Sequence, residues 1–242
     1  MRIPGVIAVG FTILSCGGAV HSALAQGVDV SAKIEMRGPE PSHDVVHVHG
    51  DYPSPVVLWL TPLQPDQAPV LRHDTYKLVQ KNKQFVPHLL VVPTGSSVEF
   101  PNQDPFFHNV FSLYNGKRFD LGLYEPGTSR TVRFDREGVS YIFCNIHPEM
   151  GAVVLSLSTP YYSISSAAGA IIVHHVPPGS YQLSVWSQNG EFASMKAVSR
   201  TIQVGTDDLH LGTLQIRLIA DPMAHHTNKF GEEYPPTQAP PY

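Results

Sequence analysis

One short segment limits what this chain can fold into. Cys144-Asn145-Ile146-His147-Pro148-Glu149-Met150 follows directly on the apolar run Tyr141-Ile142-Phe143. Cysteine, histidine and methionine recur there at three-residue intervals, so a tight loop after a strand can turn all three side chains back toward one point. A fourth candidate, His108, lies upstream in Phe106-Phe107-His108-Asn109-Val110-Phe111. It can join the other three only if its strand neighbours the strand that ends at Cys144. The expectation is a β-scaffold with a ligand loop at one end.

Two imidazoles, one thiolate and one thioether suit a blue-copper electron-transfer centre. The soft thiolate holds Cu(I), the imidazoles hold Cu(II), and a weak thioether lets one site accept both states. Zinc competes, because Cys-x2-His occurs in structural zinc sites, but those sites collect four strong nitrogen or sulfur ligands. The bland alternative is a buried free cysteine acting as a small hydrophobe.

Cysteine counting sharpens this choice. The chain has two cysteines, and the first falls in a segment read as a secretory signal peptide, residues 1–25. Arg2 is its one charge, Val6 to Leu14 is apolar, and Ala23-Leu24-Ala25 offers a small-x-small cleavage site. The apolar run is too short to cross a bilayer. Cleavage would remove Cys16 and leave Cys144 as an unpaired thiol in an oxidising compartment, which metal ligation explains. Ile13-Leu14-Ser15-Cys16 also loosely resembles a lipoprotein box, which would make Cys16 an acylated anchor. The Ala-Leu-Ala site is favoured because it lies at the conventional end of such a segment.

A mature chain of about 217 residues is long for one small sandwich and sufficient for two. Loss of Arg2 takes the formal net charge from -4 to -5, and without a basic run this argues against a nucleic-acid partner. Short runs rich in Val, Ile, Thr, Tyr and Phe alternate with Pro and Gly, so the class is all-β. Val56–Leu60, Leu89–Val92, Ser97–Phe100, Thr131–Phe134, Tyr141–Cys144 and Ala152–Leu157 read as strands of a Greek-key sandwich. Residues 26–158 are taken as this first domain with an N-terminal extension.

After Thr159-Pro160 the pattern restarts with Ala170–Val173, Tyr181–Trp186, Ser199–Val204 and Leu211–Leu218. These make residues 159–219 a smaller, second β-sandwich. Val176-Pro177-Pro178-Gly179 fits a type II turn with positive φ at the glycine. Residues 220–242, Pro-rich and without apolar periodicity, are expected to be a disordered tail.

With these residues in view, Lys83 to Leu157 resembles the cupredoxins, through Phe85-Val86-Pro87-His88, Val98-Glu99-Phe100-Pro101-Asn102, Phe119-Asp120-Leu121-Gly122 and Cys144–Met150. The short Cys-x2-His-x2-Met loop is most similar to that of amicyanin, and exported methylamine-utilisation-like proteins share the other segments. Residues from about Thr159 to Leu218 resemble a transthyretin-like, immunoglobulin-like or carboxypeptidase-regulatory-like sandwich, through Pro177-Pro178-Gly179-x-Tyr181. The resemblance implies His108, Cys144 and His147 as equatorial copper ligands, Met150 as the axial one, and Asn109 as a hydrogen-bonding brace for the loop.

The remaining histidines are less informative. His43, His47 and His49 would share one face of an extended strand, read as a solvated polar face in preference to a second metal site. His88 is equally compatible with a structural role and with ligation. Phe106, Phe107 and Phe111 are expected as core or site walls. The chain shows no nucleophile elbow or phosphate loop. The expected function is a periplasmic one-electron carrier with a redox protein partner and no enzymatic activity. The rival is a copper-storage or assembly module whose second sandwich binds a partner.

Overall fold

The computed structural model describes residues 27–38, 54–64, 68–113, 116–223 and 226–234. The proposed signal peptide, Cys16 and the His43/His47/His49 group lie outside these residues. The described chain is almost entirely β, as expected, and builds two sandwiches.

The first sandwich takes its strands from the middle of the sequence. One sheet has five strands in the order β6 (Leu89–Pro93), β12 (Gly151–Leu157), β11 (Gly138–Phe143), β8 (His108–Ser112), β9 (Phe119–Tyr124). It faces a three-stranded sheet of β10 (Ser129–Arg133), β7 (Ser97–Pro101) and β3 (Thr75–Lys77). A small hairpin, β4 (Val79–Lys81) with β5 (Gln84–Val86), flanks them. Leu78, Val98, Phe100, Val110, Phe134, Ile142 and Val154 fill the core between.

The second sandwich is assembled from both ends of the chain. One sheet is β14 (Ala170–Val176), β1 (Val28–Arg37), β17 (Leu209–Arg217). The other is β13 (Tyr162–Ile164), β2 (Val57–Pro62), β15 (Gly179–Trp186), β16 (Arg200–Val204). Among the described residues one short helix, α1 (Phe192–Val198), packs against β15 and β17, with Met195 buried. No described helix is long and apolar enough to cross a membrane.

The strand pairing departs from the expected division at residue 158. β1 and β2 do not extend the first domain. β1 pairs parallel with β17 and antiparallel with β14, while β2 pairs with β15 and β13. The reason is burial: Val28, Val30, Ile34, Leu58 and Leu60 project into the core of the second sandwich beside Ile171, Leu183 and Ile216. The first sandwich is thus inserted between the second and third strands, in chain order, of the other.

Strands with apolar side chains on both faces join the sandwiches, β12 and β2 among them. On β12, Ala152 and Val154 face the first core, while Leu155 and Leu157 meet Val57 of β2 and Val91 of β6. On β2, Leu58 and Leu60 face the second core while Val57 and Trp59 face β12 and its neighbours. A strand buried on both sides reads as a continuous apolar run, which accounts for Val56–Leu60 and Ala152–Leu157 in the sequence.

A further expectation is corrected at Pro177-Pro178-Gly179. Gly179 is not among the positive-φ glycines, and β14 and β15 lie in different sheets. The segment is therefore a crossover between sheets without the positive φ a type II turn would need at Gly179, and the Tyr181 hydroxyl pins it by donating to the Pro177 carbonyl at 2.8 Å.

Candidate metal centre

Three of the four expected ligands converge at one end of the first sandwich. His108 opens β8, and Cys144 follows β11 directly. The pairing of Phe111 with Phe143 makes these two strands neighbours. The loop from Cys144 to Met150 closes on itself, because Cys144 N–H donates to the Met150 carbonyl (3.3 Å) and Met150 N–H to the His147 carbonyl (3.1 Å). β12 then leaves from Gly151. The strand ends therefore fix where the side chains meet.

Cys144 Sγ lies 3.8 Å from His108 Nδ1 and 3.5 Å from His147 Nδ1, and the two Nδ1 atoms are 3.2 Å apart. A circle through the three atoms has a radius of about 2.0 Å, close to a metal–imidazole bond and slightly short of a metal–thiolate bond. Small adjustments would let all three bind one ion. Among the described residues this is the one group of three His, Cys, Asp or Glu side chains so arranged. Met150 is fully buried in the same cluster as Cys144.

The electrostatics fit a site that trades a proton for a metal. Burial raises the Cys144 thiol pKa, and backbone amides of Asn109, Ile146 and His147 pointing at the sulfur only partly offset this. Burial, reinforced by His108, lowers the pKa of His147 and keeps its imidazole neutral. A neutral imidazole is the form that ligates. Metal binding would displace the thiol proton.

The surroundings refine the sequence reading. Phe106 is a wall, its ring centroid 5.2 Å from that of His108 and 5.6 Å from that of His147. Phe111 is core, packed on Phe143, whereas Phe107 is half exposed and walls nothing. Asn109 acts through its backbone amide toward Cys144, while its side chain donates to Asp120 at 2.7 Å rather than to the ligand loop. His88 is no part of the cluster. Its Nδ1 meets the Gly151 carbonyl (3.1 Å) and its Nε2 meets Gln188 Oε1 (2.7 Å), linking the two sandwiches.

Two features escaped the sequence reading. One is Asp104, whose Oδ2 is 2.8 Å from His108 Nε2 in a buried pair. Its position four residues before a candidate ligand histidine is the one signal that could have found it. The other is the C-terminal segment, expected to be disordered from residue 220. Residues 221–223 and 226–234 instead pack over the outer side of the ligand loop. Met223 joins Phe111, Phe143 and Val153 in a buried cluster, and the His226 ring meets that of Phe143 edge-on at 4.0 Å. Lys229 donates from its backbone to Asn145 Oδ1 (2.9 Å) and from Nζ to Asp120 (2.7 Å). The Tyr234 hydroxyl donates to the Cys144 carbonyl at 2.8 Å. Apolar contacts and hydrogen bonds outweigh the composition here.

No family model matches this chain, and no curated protein matches it. Solved structures similar to part of it include a copper-containing nitrite reductase from Thermus scotoductus SA-01. That match has 22% identity over 40% of this chain and 25% of the reductase, at a TM-score of 0.34. A purple cupredoxin from Nitrosopumilus maritimus is 24% identical over 34% of this chain and 99% of its own, at 0.31. Amicyanin from Paracoccus versutus is 18% identical over 41% of this chain and 97% of its own, at 0.33. Likenesses of this extent assign neither a family nor an activity to this chain.

Proposed function

We propose that the chain is an exported, periplasmic type 1 copper protein that carries single electrons between redox partners. The observation that carries this reading is the triangle of His108 Nδ1, Cys144 Sγ and His147 Nδ1, with sides of 3.2–3.8 Å. Copper held there would supply a one-electron couple tuned by the thiolate. His108, Cys144 and His147 would be its strong ligands and Met150 its weak axial one.

The chain's own residues suit that role. His108 and Cys144 are fully buried at strand ends, and ligands that move little between oxidation states lower the cost of electron transfer. Phe106 screens the site from water. His147 is partly exposed, so its ring edge offers the electron port to a docked partner. Four protein donors leave no position for a substrate, which supports a carrier rather than an enzyme.

Voltammetry of the copper-loaded protein, together with self-exchange measured by NMR line broadening, tests this. A reversible couple with fast self-exchange supports electron carriage. Tight Cu(I) binding with sluggish exchange would contradict it and favour the storage or assembly module.

A further inference from the structure

The proton of a ligating imidazole has to sit on the nitrogen opposite the metal. For His108, whose Nδ1 faces Cys144 and His147, that nitrogen is Nε2, and its partner is the carboxylate of Asp104 at 2.8 Å. Both side chains are buried, His108 fully and Asp104 to all but 5%.

The carboxylate is itself held as an anion by backbone donors. Lys83 N–H donates to the same Oδ2 at 2.9 Å, and Asn82 N–H to Oδ1 at 2.5 Å. Asn82 and Lys83 both adopt φ of 55°, a left-handed turn that aims two consecutive amides at one anion. Asn102 fixes the segment from the other side, accepting from Asp104 N–H (3.0 Å) and donating to the Phe106 carbonyl (2.8 Å). The Asp104 carboxylate faces Nε2 of the His108 ring, so its charge falls on that ring.

We propose that Asp104 is a positioning residue of the metal centre. Its carboxylate locks His108 in the Nε2–H tautomer with Nδ1 toward the metal, and its negative charge favours the oxidised ion over the reduced one. This rests on the reading of His108, Cys144 and His147 as copper ligands. The turn of β4 and β5 that carries Asn82 and Lys83 thereby becomes part of the centre, although it supplies no ligand.

Asp104→Asn separates geometry from charge, since an amide oxygen can still accept from His108 and Lys83 while the charge is gone. Asp104→Glu keeps the charge at a longer reach. Full-length wild type and both variants are titrated with Cu(I) and with Cu(II) against competing chelators, and the tautomer of His108 is read by 15N NMR in copper-free protein. Asp104→Asn should still bind both ions, with its Cu(II)-to-Cu(I) affinity ratio reduced about tenfold. That reduction corresponds to a potential about 59 mV higher for a one-electron couple. Asp104→Glu should recover part of the ratio, and copper-free wild type should show His108 protonated at Nε2. An unchanged ratio in Asp104→Asn, where wild type binds copper through Cys144, overturns the electrostatic role. A His108 protonated at Nδ1 in copper-free wild type overturns the positioning role. Failure of wild type to bind copper would sink the copper reading instead, and the tautomer would still decide whether Asp104 orients His108.

Discussion

Residues 159–220 should not fold without residues 27–64. β1 is the central strand between β14 and β17, so its removal leaves those two without a ladder, and β2 sits between β13 and β15. Six buried apolar side chains leave with this peptide: Val28, Val30, Ile34, Val56, Leu58 and Leu60. At about 1.5–3 kcal/mol for each fully buried side chain, the loss is roughly 9–18 kcal/mol. A domain of this kind has about 5–15 kcal/mol of net stability, so the loss is as large as the whole of what is available. The assay is an amide correlation spectrum of the 159–220 fragment alone and after addition of a 27–64 peptide. The fragment alone should give the narrow dispersion of an unfolded chain, and the peptide should restore a dispersed spectrum. A fragment that folds cooperatively by itself would refute the interleaved architecture.

Other perturbations address the ligand loop and its cover. Tyr234→Phe removes a hydrogen bond to Cys144 and should cost about 1 kcal/mol of attachment of the C-terminal segment, read as faster limited proteolysis after residue 220. An unchanged cleavage rate would mean that this contact holds nothing. Attachment should also weaken in acid. Burial holds His226 below the ordinary imidazole pKa, so the detached state binds more protons as pH falls below about 6.5, and stability drops there. Asp120 behaves as a second stage: burial pushes its pKa up, but the Lys229, Gly122 and Asn109 bonds outweigh this and lower it. Its contribution is present above about pH 4 and is lost as pH falls through its folded value. The hydrogen-exchange protection factor of the Lys229 amide should therefore be smaller at pH 5.5 than at pH 7, and a larger one would contradict the assignment. Met150→Leu should keep copper through His108, Cys144 and His147 while raising the potential, because a dry apolar side chain replaces a donor that favours Cu(II). Complete loss of copper, or a lower potential by voltammetry, would show that Met150 is no weak axial ligand.

Local patterns in the sequence located β2, β6, β7, β10, β11, β12 and β14 to β17, because burial on one face imposes a period of two, while β1, β3, β4, β5, β9 and β13 went unread. Tyr181, Leu183 and Val185 alternate inward along β15, and their spacing already shows it. The Cys144–His147 spacing likewise announced the loop, since a short loop between two paired strands constrains where its side chains can point. Which sheet a strand joins was not legible. β1 finds its partners Ile172 and Leu214 far along the chain, and an alternating pattern says only that a face is buried, not against what. Asp104 was hidden because a lone aspartate before two phenylalanines has no periodic signature. The C-terminal cover was hidden for a different reason. Proline-rich polar sequence usually fails to bury enough apolar surface, yet here Met223 and the rings of His226 and Tyr234 supply contacts that composition averages away.

The central claim is that Cys144, His108 and His147 together hold one copper. The most direct measurement is the visible absorption and electron paramagnetic resonance of the Cu(II)-loaded protein, wild type against Cys144→Ser. The wild type should take up one copper per chain and show intense thiolate-to-copper charge transfer with the small hyperfine splitting of a covalent copper–sulfur bond, and the serine variant should lose both. A serine variant with the same band, or a wild type showing only the weak absorption of copper on nitrogen and oxygen, would contradict the account.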